Sequence, residues 1–243
     1  MSRAGDAPGI PERVERIDWD GAAAELDARG HARVRGLLDA DECRALAALW
    51  DDPARFRKRV DLAQHRFGGG GAYQYFAYPL PEAVAALRRA LYPPLARIAN
   101  AWQARLGASG RFPPDHERFL ARCRRARQAR PTPLLLRYGP DGFNRLHQDV
   151  YGAVAFPLQV TCLLSRPEDE FRGGAFVLVE QRPREQARVE AIDLEQGEAV
   201  VFPNQVRPAA GRRGHHRVQV RHGVSRLHAG DRTTLGIIFH DAR

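Results

Sequence analysis

The 243-residue sequence contains a single lysine, Lys58, only three cysteines and no long apolar run. Cys43, Cys123 and Cys162 are odd in number and lack CxxC spacing, which argues against a disulfide framework and a thiolate zinc site. No stretch approaches the ~18 apolar residues of a membrane span, and the first residues lack the apolar run of a secretory signal. We therefore expect a soluble, globular, cytoplasmic protein that does not act at a membrane.

Basic residues outnumber acidic ones, 38 against 29, and all but one of them are arginine. Two stretches hold the excess: residues 111–130 contain seven arginines against two acids, and residues 205–232 contain seven against one. Arginine clustered in this way is typical of a face that binds a polyanion such as nucleic acid, and equally of a solvated surface. Both interpretations stay open.

Helical patterns occupy the first half of the chain. Asp39 followed by Glu42 reads as a capping box that begins a helix. Pro81 lies at the start of a second helix, which the Pro-Pro pair at 93–94 is expected to interrupt. A third helix is predicted over 115–129, before the next prolines.

After Pro133 the pattern changes to short runs rich in Val, Leu, Ile and Phe. About eight such runs, separated by turn signals such as GPDG and HAGD, predict a mainly β fold of the jelly-roll kind. We expect three regions: a weakly patterned segment over 1–35, a helical layer over 36–132 packed on a barrel, and the barrel itself over 133–243.

A histidine and an aspartate occur at positions i and i+2 in the segment RLHQDVY. If this segment is a strand, alternation places His147 and Asp149 on one face. His222, on a later strand with Val218 and Val220 on its own side, is the best-placed third ligand. Two imidazoles and one carboxylate suit non-haem Fe(II) and leave coordination positions open for other molecules.

Arg232 follows His222 by ten residues, at the start of the next predicted strand. A hairpin across HAGD would bring its guanidinium beside the metal ligand, where it could bind a carboxylate with two hydrogen bonds. Thr234, on the same face, and Tyr138, at the end of LLLRY, could add hydrogen bonds.

Together these motifs resemble the Fe(II)/2-oxoglutarate-dependent dioxygenases of the prolyl-hydroxylase-like branch. The phrases that carry the resemblance are RYGPDGFNRLHQD, FRGGAFVLVE, LEQGEAVVF and RHGVSRLHAGDRTTLGIIFHDA. Upstream, RFGGGGAYQYFAYPLP and RPTPLLLRYGP extend it to about residue 60. The sequence is most similar to a bacterial family of 2-oxoglutarate–Fe(II) oxygenases with a general assignment to oxidative demethylation of damaged DNA.

The resemblance implies a cupin-like double-stranded β-helix in which His147, Asp149 and His222 hold Fe(II) and are the catalytic residues. It also implies that 2-oxoglutarate is the co-substrate, with its far carboxylate paired to Arg232, and that O2 is consumed. Hydroxylation of a C–H bond is the implied reaction, and on an N-methyl group of alkylated DNA this gives demethylation.

Residues near the predicted ligands are candidates for substrate contact. Arg137, Asn144 and Arg145 flank the site in sequence. Tyr73 and Tyr75 follow a four-glycine segment that we expect to be a loop, and they could stack on a flat substrate such as an extruded nucleobase or pack in the core.

One departure keeps other functions open. The well-studied alkylation-repair dioxygenases carry two arginines six apart at a longer interval after the distal histidine, whereas Arg232 stands alone at the shorter, hydroxylase-like spacing. A hydroxylase of a peptidyl side chain or small metabolite is therefore the alternative function. A basic module that binds metal without turnover is a second alternative.

Overall fold

A computed structural model describes residues 8–65, 67–182, 184–212 and 214–243. The helices are α1 (Ile10–Glu15), α2 (Trp19–Arg29), α3 (Ala40–Ala48), α4 (Glu82–Arg105) and α5 (His116–Arg125). The strands are β1 (Ala32–Val34), β2 (Phe56–Asp61), β3 (Gly68–Phe76), β4 (Leu134–His147), β5 (Leu158–Leu163), β6 (Phe171–Gly173), β7 (Phe176–Gln181), β8 (Arg188–Ile192), β9 (Ala199–Pro203), β10 (Val206–Gly211), β11 (Gly214–Val224), β12 (Leu227–Gly230) and β13 (Arg232–Ile238).

The helical layer agrees with the sequence at its start and differs further on. Asp39 and Glu42 form the predicted capping box at the beginning of α3. The expected interruption at 93–94 is wrong, because α4 runs unbroken through both prolines. A proline removes one helical hydrogen bond, but buried residues on both sides of the pair hold α4 against the core. The α5 helix ends at Arg125, earlier than predicted.

Eleven strands among the described residues form one strongly curved sheet, in the order β1-β9-β5-β13-β4-β11-β7-β8. From this path β10 pairs with β11, while β3 joins β2 to β4, and β6 pairs with β12 as a separate ribbon. The architecture is mainly β, a double-stranded β-helix with helices outside it, as predicted. The segment 36–132, expected to be helical, also supplies β2 and β3.

Two predicted turns are strands. The GPDG segment lies within β4, which continues from Leu134 to His147, and the four glycines open β3 instead of forming a loop. Gly70 has a φ of +56°, and a Cβ there would lie 2.7 Å from the backbone nitrogen of Gly142. Glycine is therefore required where β3 passes against the bend of β4.

Apolar side chains form two main cores. One lies between the helices and the outer face of the sheet and includes Leu91, Tyr92 and Phe239, whereas the other fills the barrel and includes Phe176, Phe202 and Val220. Toward one end the barrel is left hollow. Over the described ranges, no helix is both long and apolar enough to cross a membrane.

Candidate metal and co-substrate site

The cavity at the open end of the barrel has a volume of about 440 Å³ and contains the predicted ligand residues. His147 ends β4 and is the direct cross-strand partner of His222 on β11, with ring centroids 4.2 Å apart. The Asp149 carboxylate lies 3.3 Å from His222 Nε2 and 3.7 Å from His147 Nε2. One ligand atom from each residue lies within 4.8 Å of the others.

The reason for this convergence differs from the expected one. His147 and Asp149 do not alternate along one strand, since β4 ends at His147. Asp149 belongs to the following loop, and its backbone N–H donates to Asn204 Oδ1 at 3.1 Å. His147 is oriented by a 2.7 Å contact of Nδ1 with the Arg145 carbonyl, which leaves Nε2 directed at the cluster.

Two tyrosines hold the aspartate from its other side. Tyr151 Oη donates to Asp149 Oδ1 at 2.6 Å, and Tyr75 Oη donates to Tyr151 Oη at 2.9 Å. The sequence prediction missed Tyr151 and Asn204. Tyr151 follows Asp149 by two residues, which was a usable signal, whereas nothing in the sequence connects Asn204 to the site.

The electrostatics of the cluster favour the protonation states that bind a cation. Burial alone would raise the pKa of Asp149, but the hydrogen bond and charge of His222, with His147 and Tyr151, outweigh it and lower that pKa. Burial, together with His147, lowers the pKa of His222, which favours its neutral form. An ionised carboxylate and a neutral imidazole are the forms that a divalent metal requires.

Arg232 is buried at the start of β13, beside its cross-strand partner Tyr138. Its Nη1 atom has no hydrogen-bond partner among the described residues, and burial lowers its pKa to about 10. The expected hairpin from His222 is wrong: residues 227–230 form β12, which pairs with β6, and β4 lies between β11 and β13. Arg232 and His222 thus reach one cavity from opposite sides of β4.

The other predicted co-substrate contacts also line the cavity. Thr234 lies two residues along β13 from Arg232, on the same face. The Tyr138 hydroxyl accepts a hydrogen bond from Asn144 Nδ2 at 3.3 Å, and burial raises the pKa of Tyr138 to about 12.

Four of the five candidate substrate residues line the cavity: Asn144, Arg145, Tyr73 and Tyr75. The expectation for Arg137 is wrong. Arg137 precedes Tyr138 on β4, so its side chain leaves the opposite face of the sheet and lines a small surface pocket with Trp50 and Arg59.

The two arginine-rich stretches have different surroundings. In 205–232, Arg207 is buried against Glu180, Arg226 pairs with Asp141, and Arg232 faces the cavity, so this stretch is only partly a solvated surface. Four arginines of 111–130 line a cleft of about 1160 Å³ between α1, α4 and α5.

Residues 71–242 match the sequence model of a family described as "Oxygenase, catalysing oxidative methylation of damaged DNA". The chain belongs to this oxygenase family. An uncharacterized protein of Mycobacterium tuberculosis is 46% identical over 231 residues, which cover 88% of this chain and 99% of that protein. The family match confirms the oxygenase class that the sequence motifs predicted.

Solved structures share the fold at low identity. An oxidoreductase of the 2OG-Fe(II) oxygenase family from Burkholderia pseudomallei is 18% identical with a TM-score of 0.53, covering 93% of each chain. A Pseudomonas putida prolyl-4-hydroxylase is 19% identical with a TM-score of 0.51, covering 93% of this chain and 99% of that one. A Trichoplax adhaerens prolyl hydroxylase in complex with a hypoxia inducible factor peptide is 15% identical with a TM-score of 0.56, covering 98% and 94%. These likenesses confirm the predicted superfamily fold.

Proposed function

We propose that this oxygenase is a dioxygenase that uses Fe(II), 2-oxoglutarate and O2 and that His147, Asp149 and His222 hold the metal. The donor set supports this assignment, because two imidazole nitrogens and one carboxylate leave several positions of a six-coordinate metal open. The buried Nδ1 of His222 has no partner in the part of the chain that the structure describes, and its ring packs against the rings of Phe176 and Phe202.

The environment of the Arg232 guanidinium is the main support for 2-oxoglutarate as the co-substrate. A buried guanidinium with an unpartnered Nη1 in a cavity is costly unless a ligand supplies the missing acceptor. One carboxylate of 2-oxoglutarate fits this requirement, and Thr234 and Tyr138 stand beside Arg232 to contact the same group. When bound, the metal and co-substrate supply an oxidant for C–H bonds while 2-oxoglutarate is converted to succinate and carbon dioxide.

The residues of the chain then position and enclose the reaction. Tyr151 and Asn204 hold the loop that carries Asp149, and the Arg145 carbonyl orients His147. Phe176 and Phe202 pack against each other and against His222, which gives the cluster an apolar wall. The protein contributes the geometry and the partly apolar walls of the cavity, and the metal with its co-substrate would supply the oxidation.

For the prime substrate we propose alkylated DNA, with oxidation of an N-methyl group leading to its removal. The family description, which names damaged DNA, supports this choice. At the cavity mouth, exposed Arg145 has no acidic partner among the described residues, and Phe67 and Leu146 are 49% and 45% exposed. Cationic and apolar groups side by side suit a phosphate backbone and an unstacked base.

The alternative is hydroxylation of a peptidyl side chain or a small metabolite. Arg232 on β13 at the hydroxylase-like spacing favours it, and two structural neighbours are named prolyl hydroxylases.

The cytoplasmic location proposed from the sequence is supported by the three cysteines, which are all buried and unpaired.

Succinate formation tests the proposal. The protein is incubated with Fe(II), 2-oxoglutarate and O2 together with methylated single-stranded DNA, unmodified DNA or no DNA, and His222→Ala is the blank. We expect stimulation by the methylated strand alone. Equal slow turnover in all three, absent from the blank, would support the alternative substrates. Metal binding without succinate formation would support the second alternative, a basic module that binds metal without turnover.

A further inference from the structure

The cavity has a second compartment beyond the metal cluster, away from Arg232. Its walls are Tyr73, Tyr75 and Tyr151 with Leu134 and Ile238, which pack together as one small cluster. The tyrosine rings meet edge to face, with centroids 5.4 Å apart for Tyr73–Tyr75 and 6.1 Å for Tyr75–Tyr151. This compartment is aromatic and apolar, whereas the Arg232 compartment is cationic.

Gln159 places an amide in this compartment. It lies on β5 directly opposite Ile238 of β13 and Phe202 of β9, so the three side chains share one face of the sheet. Its side chain is 3% exposed and lines the cavity, and its Nε2 has no hydrogen-bond partner among the described residues.

Two of the three tyrosine hydroxyl protons in this compartment already have acceptors. Tyr75 donates to Tyr151, and Tyr151 donates to Asp149. Gln159 Nε2 is therefore a buried donor without a partner among the described residues, in a wall that is mostly aromatic and apolar. Such a donor costs free energy that a ligand acceptor recovers.

The position of Gln159 separates it from the proposed co-substrate anchor. Its partner Ile238 lies six residues beyond Arg232 on β13, roughly 20 Å along a strand that rises about 3.3 Å per residue. A five-carbon dicarboxylate paired with Arg232 is far shorter. The donor is thus available to the prime substrate.

We propose that Gln159 and the tyrosine compartment bind an uncharged planar group through a carbonyl oxygen, which accepts from Gln159 Nε2. This inference rests on the proposed function and specifies its substrate: among methylated bases, 3-methylthymine carries carbonyls beside its N-methyl group, whereas 1-methyladenine is cationic and has none. A base with a carbonyl is the preferred substrate, because an unpaired buried donor discriminates against a ligand that lacks the acceptor.

The first test uses a small probe and no turnover. Binding of 1,3-dimethyluracil is measured by calorimetry on protein loaded with Mn(II) and 2-oxoglutarate, for the wild type, Gln159→Leu, Gln159→Glu and Gln186→Leu. Gln186 is an exposed glutamine between β7 and β8 and is the matched control. We expect both Gln159 variants to lose about tenfold in affinity for the probe, with Gln186→Leu and all 2-oxoglutarate affinities little changed.

A structural role for Gln159 predicts other results. Gln159→Leu removes an unpaired donor, so its thermal midpoint should equal or exceed that of the wild type. A lower midpoint, a tenfold loss of 2-oxoglutarate affinity, equal probe binding by Gln159→Leu, or no probe binding by the wild type would each overturn the proposal.

The second test separates this inference from the proposed function. Succinate formation is measured with two oligonucleotides that differ only in carrying 3-methylthymine or 1-methyladenine. We expect the wild type to prefer 3-methylthymine and Gln159→Leu to lose the preference; a preference for 1-methyladenine would overturn the inference. If neither oligonucleotide stimulates turnover, the DNA substrate is wrong, while Gln159-dependent probe binding would still support a carbonyl-binding compartment.

Discussion

Two buried arginines on opposite sides of the barrel wall differ in their partners. Arg88 on α4 is 2% exposed and donates to the Ile238 carbonyl at 2.9 Å, the Phe239 carbonyl at 3.0 Å and the Asp241 carboxylate at 2.8 Å. Arg232 is equally buried, yet its Nη1 has no partner among the described residues. Its guanidinium lies 5.9 Å from the ring centroids of both Tyr138 and Phe171.

The two guanidinium groups differ in whether the described part of the chain supplies their hydrogen-bond acceptors. Arg88 is satisfied by the chain itself, so it fastens the C-terminal residues to α4. Arg232 and Gln159 each carry a buried side-chain nitrogen without a partner among the described residues, and both residues line the same cavity. Two buried donors that lack protein partners and line one cavity indicate that a ligand supplies the missing acceptors there.

The largest expected effect compares two aspartates. Asp149→Ala should abolish metal binding and lower turnover by more than about 100-fold, because even the loss of groups that orient metal ligands costs 10–100-fold. Asp241→Ala, which removes the partner of Arg88, should retain metal binding in whatever fraction folds. Metal content after gel filtration and succinate formation are the measurements. Iron-dependent turnover by Asp149→Ala would exclude the proposed ligand set.

Removal of Arg88 should lower the stability of the protein more than removal of Arg232. Arg88→Ala leaves the Asp241 carboxylate buried without its cationic partner and should lower the free energy of unfolding by about 3–5 kcal/mol. Arg232→Ala removes a charge that the apo protein does not satisfy, and it should leave stability unchanged or higher. Urea unfolding of the metal-free proteins measures both. A comparable loss in Arg232→Ala would make that residue structural.

Two buried histidines near Arg88 should make the free energy of unfolding fall at acid pH. Burial lowers the pKa of His116 to about 3 and that of His240 to about 4, from 6.5 in the unfolded chain. Protons therefore bind the unfolded state first as the pH falls below 6.5. The free energy of unfolding should fall by about 2 kcal/mol per histidine between pH 7.5 and pH 5. Urea titrations at several pH values would reveal this slope, and His116→Gln should reduce it; a slope identical to the wild type would contradict the assignment.

The smallest effect concerns the mouth of the cavity. Arg145→Ala should weaken binding of single-stranded DNA modestly and reduce the dependence of log affinity on log salt by about one unit. Exposed Arg29, at the end of α2, provides the matched control as Arg29→Ala. Fluorescence titration at several salt concentrations compares them. Equal salt slopes in the two variants would remove Arg145 from the proposed DNA contacts.

The sequence predicted what spacing encodes and missed what three-dimensional packing decides. The order and spacing of His147, Asp149, His222 and Arg232 were sufficient to predict that they share one cavity, although the expected strand face and hairpin were wrong. Arg137 and Tyr138 are neighbours on one strand, so their side chains leave opposite faces of the sheet. The prediction that both reach the site was therefore inconsistent with strand alternation.

Other features had weak signals or none. Gln159 and Thr161 alternate with apolar residues along β5, so two polar groups on one face of a buried strand could have been recognised. The unbroken α4 could not be foreseen, because the contacts that outweigh Pro93 and Pro94 come from distant strands and helices.

Binding of 2-oxoglutarate to the Mn(II)-loaded protein tests the central claim most directly. Calorimetry would compare the wild type with Arg232→Ala and with exposed Arg29→Ala. We predict that Arg232→Ala weakens 2-oxoglutarate binding by about 100-fold while Mn(II) affinity is retained, since a charged, buried hydrogen-bonded pair is lost. Unchanged 2-oxoglutarate affinity in Arg232→Ala would contradict the claim that the unpartnered guanidinium is the anchor of the co-substrate.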